Sequence, residues 1–397
     1  MKKLAIVTTH PIQYYAPVFK LLQQRGHIAV KVFYTLGEHN VGYDHGFDKK
    51  ITWDIPLLEG YDYEWVANTS SSPGSHHPKG IVNPGLIPQI NAWQPDAVLF
   101  FGWNYTSHLK AMRYFKNKIP VFFRGDSTLL NPVHPLKSFL KTIYLKWVYR
   151  HVDYAFYVGG NNKAYFKKYG LKEHQLSFAS HAIDNKRFKE DRQQEGSSLR
   201  EKIHIPANDV LIVYAGKFEP VKNVKLLIAA FEQLNHTNVH LLLTGNGPDE
   251  DALKAQSAKT RVSSRIHFMD FVNQTYMPVV YAAADIYCLP SISETWGLAV
   301  NEAMACSRTV LVSDKIGCAA DLVKPGINGA IFKSNNVESL IDVLRELTRS
   351  KEQLIEYGKN SYRIIQEWNF NAIAQAIETR LLNNHKVQIT VEKPTTK

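Results

Sequence analysis

Two glutamates, Glu294 and Glu302, are separated by seven residues in a stretch whose pattern predicts a ligand site. The apolar run at residues 285–289 predicts a β-strand, and apolar residues at helical spacing predict a helix starting near Leu298. A second apolar run at residues 309–313 predicts the next strand. Such a strand–loop–helix–strand unit is typical of a parallel α/β sheet, in which ligands bind at the carboxyl ends of the strands. The sequence therefore places both glutamates beside such an end.

The loop and helix around the two glutamates carry groups that suit phosphate and hydroxyl ligands. Backbone N–H groups from Trp296 through Gly297 to Leu298 stand at a helix start, where they can receive a diphosphate. Glu302 can accept hydrogen bonds from a vicinal diol such as a ribose, and Glu294 can reach sugar hydroxyls beyond the phosphates. Taken alone, the pair is better explained by Glu294 favouring the helix dipole and Glu302 facing solvent. The binding interpretation therefore depends on residues elsewhere.

Two lysines, Lys217 and Lys222, flank another predicted turn from strand to helix. The strand is predicted at residues 210–216 and the helix at residues 224–233. Both ammonium groups could reach the same anion as the amides near Trp296, and together they could neutralise a leaving diphosphate without a metal. The alternative is a pair of solvated loop lysines. Their position after a buried strand favours the ligand role.

Composition indicates a globular protein of two or three domains. The chain has 397 residues, of which 45% are hydrophobic and 21% charged, and no apolar run is long enough to span a bilayer. The cysteines Cys288, Cys306 and Cys318 show no metal-binding spacing, so reduced thiols in a cytoplasmic protein are expected. An Asp-x-Asp pattern at residues 249–251 falls at a predicted helix start, which indicates helix capping and not a metal site.

The net charge of +11 is unevenly distributed. Residues 1–190 contain 24 lysines and arginines against 13 acidic residues, whereas residues 191–397 contain 23 of each. This asymmetry predicts that the first half meets an anionic partner, such as an acidic membrane surface, a phosphorylated lipid or nucleic acid. The alternative is a basic face that only keeps the protein soluble. Because no nucleic-acid-binding motif is visible, nucleic acid is not expected as a partner.

A basic amphipathic helix is predicted at residues 135–149, in the basic half of the chain. Its sequence, PLKSFLKTIYLKWVY, alternates Lys137, Lys141 and Lys146 with large apolar residues. We predict that most of the apolar face packs on the protein's own sheet while the lysines remain in solvent. The lysines could still contribute attraction to an anionic membrane.

The remaining pattern predicts alternating strands and helices in both halves. Residues 35–82 are expected to form loops and short strands, residues 187–207 an inter-domain linker with an introductory helix, and residues 337–382 helices interrupted near Trp368. Further strands are predicted at residues 4–8, 28–34, 96–101, 121–123, 154–158, 239–245 and 265–269.

Several blocks, taken in order, resemble family-4 retaining glycosyltransferases. The blocks read AGKFEPVKN at residues 215–223, TGNGP at 244–248, FMDFV at 268–272, PSISETWGLAVNEAMA at 290–305, GC at 317–318 and PGING at 325–329. SHAIDNKRF at residues 180–188 also resembles the segment that ends this family's first domain. The resemblance covers most of residues 155–370, and the ordered set is far more specific than one E-x7-E pair.

The resemblance implies an α/β protein of the GT-B fold, with two Rossmann-like parallel-sheet domains facing a cleft. Residues 1–189 would bind the acceptor and residues 190–369 the nucleotide-sugar donor. A helix at about 370–384 would pack back on the first domain, and residues 385–397 would form a flexible tail.

The activity that the resemblance implies is sugar transfer with retention and without a metal or other cofactor. The acceptor would be a glycan or a lipid-linked molecule in bacterial cell-surface polysaccharide or glycolipid synthesis. The protein would be cytoplasmic and could attach peripherally to the inner face of the cell membrane. The alternatives are a nucleotide-sugar epimerase or hydrolase of the same fold and a catalytically silent nucleotide-sugar-binding subunit.

The resemblance and the predicted strand ends together give a set of candidate site residues. The resemblance implies that Lys217 and Lys222 hold the diphosphate, Glu302 the ribose and Glu294 the donor sugar. The donor-binding candidates are Gly216, Lys217, Lys222, Asn246, Phe271, Glu294, Trp296, Gly297, Leu298 and Glu302. The catalytic candidates are Glu294, Lys217, Lys222, Asp126 and His10.

The first domain departs from the family's pattern. Its loops at residues 8–15 and 124–126 lack the usual Gly-Gly and His-Gly pairs. Acceptor-side candidates therefore come from predicted strand ends that face the cleft, and loop capping is an alternative role for each. These candidates are His10, Gln13, Trp103, Arg124 and Asp126.

Overall fold

The computed structural model describes residues 1–40, 43–44, 49–50, 52–131, 134–234 and 236–383. In this part of the chain the strands form two parallel sheets and one short antiparallel hairpin. The strands are β1 (Lys2–Thr8), β2 (Ile28–Tyr34), β3 (Tyr43–Asp44), β4 (Lys49–Lys50), β5 (Asp62–Trp65), β6 (Ala97–Phe101), β7 (Val121–Arg124), β8 (Tyr154–Tyr157), β9 (Leu176–Phe178), β10 (Val210–Ala215), β11 (Val239–Thr244), β12 (Ile266–Met269), β13 (Ile286–Leu289), β14 (Thr309–Ser313) and β15 (Gly329–Phe332).

The helices cover the faces of both sheets. Apolar residues at helical spacing account for them, as in the helix Val224–Leu234, where Leu227, Ile228 and Phe231 are buried on one side. The helices are α1 (Ala16–Arg25), α2 (Leu86–Trp93), α3 (Thr106–Phe115), α4 (Pro135–Tyr149), α5 (Gly160–Lys168), α6 (Asn185–Lys189), α7 (Gln193–Lys202), α8 (Val224–Leu234), α9 (Glu250–Ala258), α10 (Met277–Ala283), α11 (Leu298–Ala305), α12 (Ala319–Leu322), α13 (Val337–Leu347), α14 (Lys351–Ile365) and α15 (Phe370–Leu382).

The first sheet has seven strands in the order β5-β2-β1-β6-β7-β8-β9. Its inner strands are continuous apolar runs, and every residue of β6 is buried. Such runs are expected for parallel strands that are covered on both faces. The strands predicted at residues 4–8, 28–34, 96–101, 121–123 and 154–158 are therefore confirmed in type, with small differences in their ends.

The second sheet has six strands in the order β12-β11-β10-β13-β14-β15. Strand order reverses between β10 and β13, which pair in parallel through Ile212 and Ile286. The loops that follow these two strands therefore open into one crevice, the usual ligand position in such a sheet. They are the loops that carry the lysines and Glu294, so the fold brings together residues that are far apart in sequence.

The final helix packs on the first sheet and not on the second. Ile373 and Ile377 of α15 are buried in the same core cluster as Phe19 of α1. Arg25 at the end of α1 binds the buried Glu378 carboxylate, with an Nη2–Oε2 distance of 2.9 Å. Residues 384–397, which include the predicted tail, lie outside the described part of the chain.

The outer surface of α4 contradicts the prediction that its apolar face packs on the sheet. Leu145, Val148 and Tyr149 are buried, but the more N-terminal apolar side chains are not. Exposures of 55–66% are found for Leu136, Phe139, Leu140 and Ile143. The sequence pattern correctly predicted an apolar stripe, but a different and narrower face of the helix supplies the contact with the domain.

Residues 187–207 are an integral part of the second domain and not a simple linker. Helix α7 packs against α10, and its Leu199 is buried in the core. The Arg200 guanidinium donates to the carbonyl of Ala283 (2.9 Å) and to the Asp285 carboxylate (3.1 Å). The predicted introductory helix is thus present as α7, and the buried Arg200 guanidinium connects it to the rest of the second domain.

Two further observations concern short elements. The segment at residues 35–82, predicted as loops and short strands, includes the short strand β5, which adds to the edge of the first sheet by pairing with β2. The helical region after residue 337 is broken near residue 349 as well as near Trp368. None of the helices in the described part of the chain combines the length and the apolar content needed to cross a membrane.

Candidate functional site

A cleft of about 320 Å³ lies between the two sheets, at the carboxyl ends of β10 and β13. Both domains contribute to its walls, the first through Tyr14, Asp126 and His181. The second domain supplies Tyr214, Ala215, Gly216, Lys217, Lys222, Tyr287, Leu289, Glu294, Thr295, Trp296, Gly297, Leu298 and Ala299. Seven of the ten predicted donor-binding residues, all except Asn246, Phe271 and Glu302, therefore line one space.

The two loops at the strand ends are tied to each other. The Lys222 ammonium forms an ion pair and a hydrogen bond with the Glu294 carboxylate. The backbone N–H of Ile292 donates to the carbonyl of Val221 at 2.9 Å. The Tyr214 hydroxyl fixes the other loop end by donating to the carbonyl of Lys217 at 2.7 Å. These contacts hold an ammonium and a carboxylate at the cleft wall, where a phosphate and a sugar hydroxyl can exchange with the ion pair.

The first turn of α11 lines the same cleft through its backbone. Gly297 precedes the helix with φ of 96°, a conformation that glycine adopts without strain. The Trp296 ring is only 2% exposed and donates through Nε1 to Asn301 Oδ1 at 3.0 Å. It also packs against Trp368 at 5.2 Å. Trp296 therefore anchors the loop with its ring, and the helix start presents N–H groups to the cleft.

Glu302 lies in an adjoining cavity of about 190 Å³, where both of its oxygens accept hydrogen bonds. Oε1 accepts from the Tyr14 hydroxyl of the first domain at 3.0 Å, and Oε2 accepts from Tyr281 at 2.8 Å. Burial raises the pKa of Glu302 above its ordinary value, and the two hydroxyl donors offset part of that rise. The Glu302 carboxylate is thus held between the two domains, with each of its oxygens accepting from a tyrosine hydroxyl.

Aromatic side chains from both domains form one side of the adjoining cavity. Trp53 and Phe271 meet at 6.3 Å between ring centres, and Gln13 lies on the same wall. Asn246 is not among the residues that line this space, and its Nδ2 donates to Glu250 and Asp270. Its Oδ1 accepts from the backbone N–H of Phe271 at 2.9 Å, so Asn246 positions a lining residue.

Asp126 is the acidic group that the first domain places in the cleft. Its carboxylate accepts from the Thr295 hydroxyl at 2.8 Å, across the gap between the domains. Burial is the main cause of a raised pKa at Asp126, the Thr295 hydrogen bond lowers it, and the Glu294 charge adds to the rise. The arrangement gives the cleft a carboxyl group that is protonated more readily than a surface aspartate.

Three of the predicted acceptor-side residues line neither the cleft nor the adjoining cavity. Arg124 is 2% exposed, and its guanidinium donates to the carbonyls of Ala179 (2.8 Å) and Ser180 (2.9 Å), so the prediction that it faces the cleft is wrong. Trp103 packs against Tyr144 of α4 at 5.7 Å. His10 is partly buried, with Nδ1 at 2.9 Å from Thr9 Oγ1.

From the first domain, the structure adds two residues to the cleft that the sequence did not single out. One is Tyr14, next to the predicted Gln13. The other is His181, whose ring lies between those of Tyr15 (6.0 Å) and Trp296 (5.8 Å). Burial lowers the pKa of His181 well below its ordinary value, which favours a neutral ring. His181 falls in the block at residues 180–188, but that block indicated only a domain end.

The acidic pattern at residues 249–251 starts α9, as predicted, but without a side-chain cap. Asp249 occupies the N-cap position without a side-chain capping hydrogen bond, and it pairs with Lys225 at 3.6 Å. Across the described residues, no group of three or more His, Cys, Asp or Glu side chains is placed to hold a metal ion.

Comparison with known proteins identifies a family match in the second domain. Residues 197–364 match the family model described as glycosyl transferases group 1. The D-inositol 3-phosphate glycosyltransferase 2 of Catenulispora acidiphila is 25% identical over 219 residues, 52% of this chain and 50% of the relative. The D-inositol 3-phosphate glycosyltransferase of Corynebacterium glutamicum is 24% identical over 219 residues, 53% and 52% of the two chains. The chain spans about half the length of these curated relatives.

Solved structures match over nearly the whole chain and define the fold. HepE from Anabaena in complex with UDP gives a TM-score of 0.73 at 20% identity, covering 96% of this chain and 100% of that one. The sucrose-phosphate synthase of Thermosynechococcus elongatus gives 0.73 at 16% identity, covering 97% and 99%. Two Rossmann-like parallel-sheet domains that face a cleft make this chain a GT-B protein, as the sequence predicted.

Proposed function

We propose that the protein is a retaining glycosyltransferase that moves a sugar from a nucleotide-sugar donor to an acceptor without a metal. The observation that carries the proposal is the convergence of Lys217, Lys222, Glu294 and the α11 start at the strand-order reversal of the second sheet. The family match over residues 197–364 supports it. The crystal structure of HepE is a complex with UDP, which supports testing UDP among the donors first.

The donor would lie along the second domain with its parts assigned to different groups. The base would enter the cavity beside Phe271, and the ribose diol would donate to Glu302. The diphosphate would meet Lys217, Lys222 and the first turn of α11, while the sugar would reach Glu294. This order follows the chemistry of the walls, since carboxylates accept from hydroxyls, and ammonium and N–H groups bind phosphate.

Transfer would depend on stabilising the charge of the leaving diphosphate. Two lysines and helix N–H groups bind that charge more strongly as it develops, which lowers the barrier to breaking the bond to the sugar. The acceptor oxygen would bond to the anomeric carbon on the face from which the diphosphate leaves and pass its proton to the leaving phosphate oxygen, so the configuration is retained. Asp126, which lines the cleft and has a raised pKa, would orient the acceptor hydroxyl.

The acceptor is proposed to be a glycan or a lipid-linked molecule, used in bacterial cell-surface polysaccharide or glycolipid synthesis. The motive is the excess of 24 basic over 13 acidic residues in residues 1–190, which suits an anionic surface. The enzyme would then work in the cytoplasm, peripherally on the inner face of the membrane.

The test is the release of nucleoside diphosphate from UDP-, GDP- and ADP-sugars, with and without candidate acceptors and in the presence of chelator. A transferase releases nucleoside diphosphate in proportion to acceptor, and NMR of the product should give the donor's anomeric configuration. Release that ignores the acceptor would indicate a hydrolase, and sugar interconversion without release an epimerase. Binding without either reaction would indicate a silent subunit, and activity that requires added Mg²⁺ or Mn²⁺ would contradict the metal-free mechanism.

A further inference from the structure

The outward face of α4 is a concentrated apolar surface. Six of the fifteen exposed large hydrophobic side chains in the described part of the chain lie between residues 129 and 144. Leu136, Phe139, Leu140 and Ile143 form the centre of this group. Single exposed apolar residues are ordinary on protein surfaces, whereas a cluster of this kind marks a surface that contacts something else.

Helix geometry places these four side chains on one face. Their spacings of three and four residues correspond to one turn of 3.6 residues, so the side chains form a stripe along the axis. The buried residues Leu145 and Tyr149 lie on the opposite side of the helix. The stripe is therefore separate from the packing that holds α4 to its own domain, and its exposure does not depend on an opening of the core.

The helix that carries the stripe is cationic. The helix contains three lysines and no acidic residue, and all three lysines are exposed: Lys137, Lys141 and Lys146. At its C-terminal end, the guanidinium groups of Arg113 and Arg150 lie 5.5 and 5.8 Å from the centre of the Trp147 ring. Tyr144 stacks on the same ring at 5.8 Å. Apolar residues flanked by lysines and interfacial aromatics are the composition of helices that lie in a membrane surface.

We propose that this face of α4 docks on an anionic lipid bilayer. Leu136, Phe139, Leu140 and Ile143 enter the boundary between headgroups and acyl chains, while the lysines extend to the lipid phosphates. A bilayer fits this surface because the basic excess of the first half lies in residues 101–190, which include α4 and hold 16 basic against 5 acidic residues. The link between docking and a lipid-linked acceptor rests on the proposed function. Docking adds to that function the surface of the protein that would meet the membrane carrying the acceptor.

The position of α4 connects docking with the cleft. The helix starts four residues after Asn131, whose Nδ2 donates to Ser293 Oγ at 2.5 Å in the loop that carries Glu294. Lys315 Nζ donates to the carbonyl of Leu130 at 3.3 Å. Leu130 and Asn131, shortly before α4, thus contact second-domain loops beside the cleft, so docking would bring this side of the cleft towards the lipid surface.

The test measures partitioning of the full chain onto vesicles of phosphatidylcholine alone and of phosphatidylcholine with phosphatidylglycerol, at low and high salt. The chain is expected to prefer the anionic vesicles. The stripe variant replaces all four apolar residues by glutamine, which is compatible with a helix: Leu136→Gln, Phe139→Gln, Leu140→Gln and Ile143→Gln. It should lower partitioning by at least about a hundredfold at either salt concentration. Lys137→Glu with Lys141→Glu should lower it by at least about tenfold at low salt and less at high salt.

Matched controls use exposed residues of the second domain. Ile327→Gln with Ile355→Gln removes two side chains that are 52% and 54% exposed, and Lys259→Glu with Lys359→Glu reverses two exposed charges. Both should leave partitioning unchanged. The inference is overturned if the stripe variant partitions like the unaltered chain, or if the unaltered chain binds neither vesicle. It is also overturned if sedimentation shows a dimer that the stripe variant abolishes.

Nucleotide binding separates this inference from the proposed function. All four variants should bind nucleoside diphosphate as the unaltered chain does, since none changes a residue of the cleft. Vesicle binding without any nucleotide binding would contradict the proposed function and leave the docking surface in place.

Discussion

The ion pair between Lys222 and Glu294 holds an ammonium and a carboxylate together at the wall of the cleft. The two side chains are 20% and 19% exposed, so they are partly shielded from water without being sealed from a ligand. In the proposed donor complex, phosphate would take the ammonium and a sugar hydroxyl would take the carboxylate. The pair keeps both groups ordered before the donor arrives.

Replacing Lys222 tests this assignment. Lys222→Ala should lower kcat/KM by about 10²–10³-fold, because a charge that stabilises the leaving diphosphate is lost while the core is untouched. Lys225→Ala is the matched control, since Lys225 is 53% exposed and pairs with Asp249 at the start of the next helix. Initial-rate kinetics and circular dichroism would be compared. Near-normal turnover of Lys222→Ala at limiting donor would contradict the assignment.

Glu302 predicts a pH dependence of nucleotide binding. In the proposed donor complex the ionised carboxylate would accept from the ribose hydroxyls, and burial raises its pKa. Acidification through that raised pKa therefore protonates Glu302 and weakens binding, whereas alkaline conditions preserve it. Calorimetric titrations from about pH 8 down to about pH 5 would be compared with those of Glu302→Gln, which lacks this ionisation.

The titration of the diphosphate itself affects binding to both proteins equally. It therefore cancels when the affinity of the unaltered chain is compared with that of Glu302→Gln. The affinity advantage of the unaltered chain should shrink as the pH falls. A ratio of the two affinities that stays constant over this range would show that Glu302 does not change protonation in contact with the ribose.

Some residue assignments could be predicted from sequence because they follow local pattern. The lysines and Glu294 stand directly after apolar strands, and parallel strands end at a common edge. Tyr14 and His181 could not be found in this way, since their place in the cleft depends on how the two domains meet. Arg124 shows the opposite error, because a strand-end position did not reveal that its guanidinium is used by backbone carbonyls.

At the scale of elements, the turn before α11 requires an unusual backbone. A β-carbon on Gly297 would lie 3.0 Å from both Ile316 Cγ2 and Leu289 Cδ2, and the residue has φ of 96°. Position 297 is therefore restricted both by conformation and by space. The helix start that lines the cleft, where the diphosphate is proposed to bind, depends on this glycine.

A left-handed backbone at a non-glycine residue costs about 1–3 kcal/mol. Gly297→Ala should lower the free energy of unfolding by more than this cost, because the crowding of the new β-carbon adds to it. Gly326→Ala is the control, because that residue has φ of 76° and no heavy atom of the described residues within 4 Å of the added β-carbon. It should show the backbone cost alone. Calorimetric unfolding and nucleotide titration would measure both variants, and equal stability losses would contradict the crowding argument.

The elements also show where sequence patterns stop being informative. Continuous apolar runs identified the inner strands, because parallel strands buried on both faces have such composition. Short strands were predicted within residues 35–82, but β5 was not located there, since Asp62 and Glu64 alternate with aromatic residues at a sheet edge. For α4, the pattern defined a stripe but could not show whether that stripe faces the core or the outside.

At the scale of the whole molecule, hydrogen bonds across the cleft connect the domains. Tyr14 donates to Glu302 and Thr295 donates to Asp126, so two carboxyl groups of the site bind the opposite domain. Helix α15 adds a second connection, because it follows the second domain in sequence but packs on the first sheet. The relative position of the domains is thus set by the hydrogen bonds across the cleft and by the packing of α15 on the first sheet.

The contact between α15 and α1 gives a stability prediction. Arg25→Ala would leave the Glu378 carboxylate, 5% exposed, with His27 at 3.1 Å as its remaining ion-pair partner among the described residues. We expect a loss of about 2–3 kcal/mol, below the value for a fully buried pair because Arg25 is 27% exposed. Arg345→Ala, which removes an exposed pair with Asp342, should cost less than about 1 kcal/mol.

Thermal unfolding of the two variants would be measured by calorimetry. The double variant Arg25→Ala with Glu378→Gln should recover part of the stability that Arg25→Ala loses. If Arg25→Ala unfolds at the same temperature as Arg345→Ala, the buried carboxylate does not hold α15 in place.

The proposed function requires above all that the cleft bind a nucleotide sugar through the second domain. Calorimetric titration of the full chain with UDP, GDP and ADP, in buffer containing chelator, measures this binding. At least one nucleotide should bind saturably at one site per chain, and Lys222→Ala and Glu302→Gln should each weaken that binding at least about tenfold. Absence of binding by all three nucleotides, or undiminished binding by both variants, would contradict the donor site assigned to the second domain.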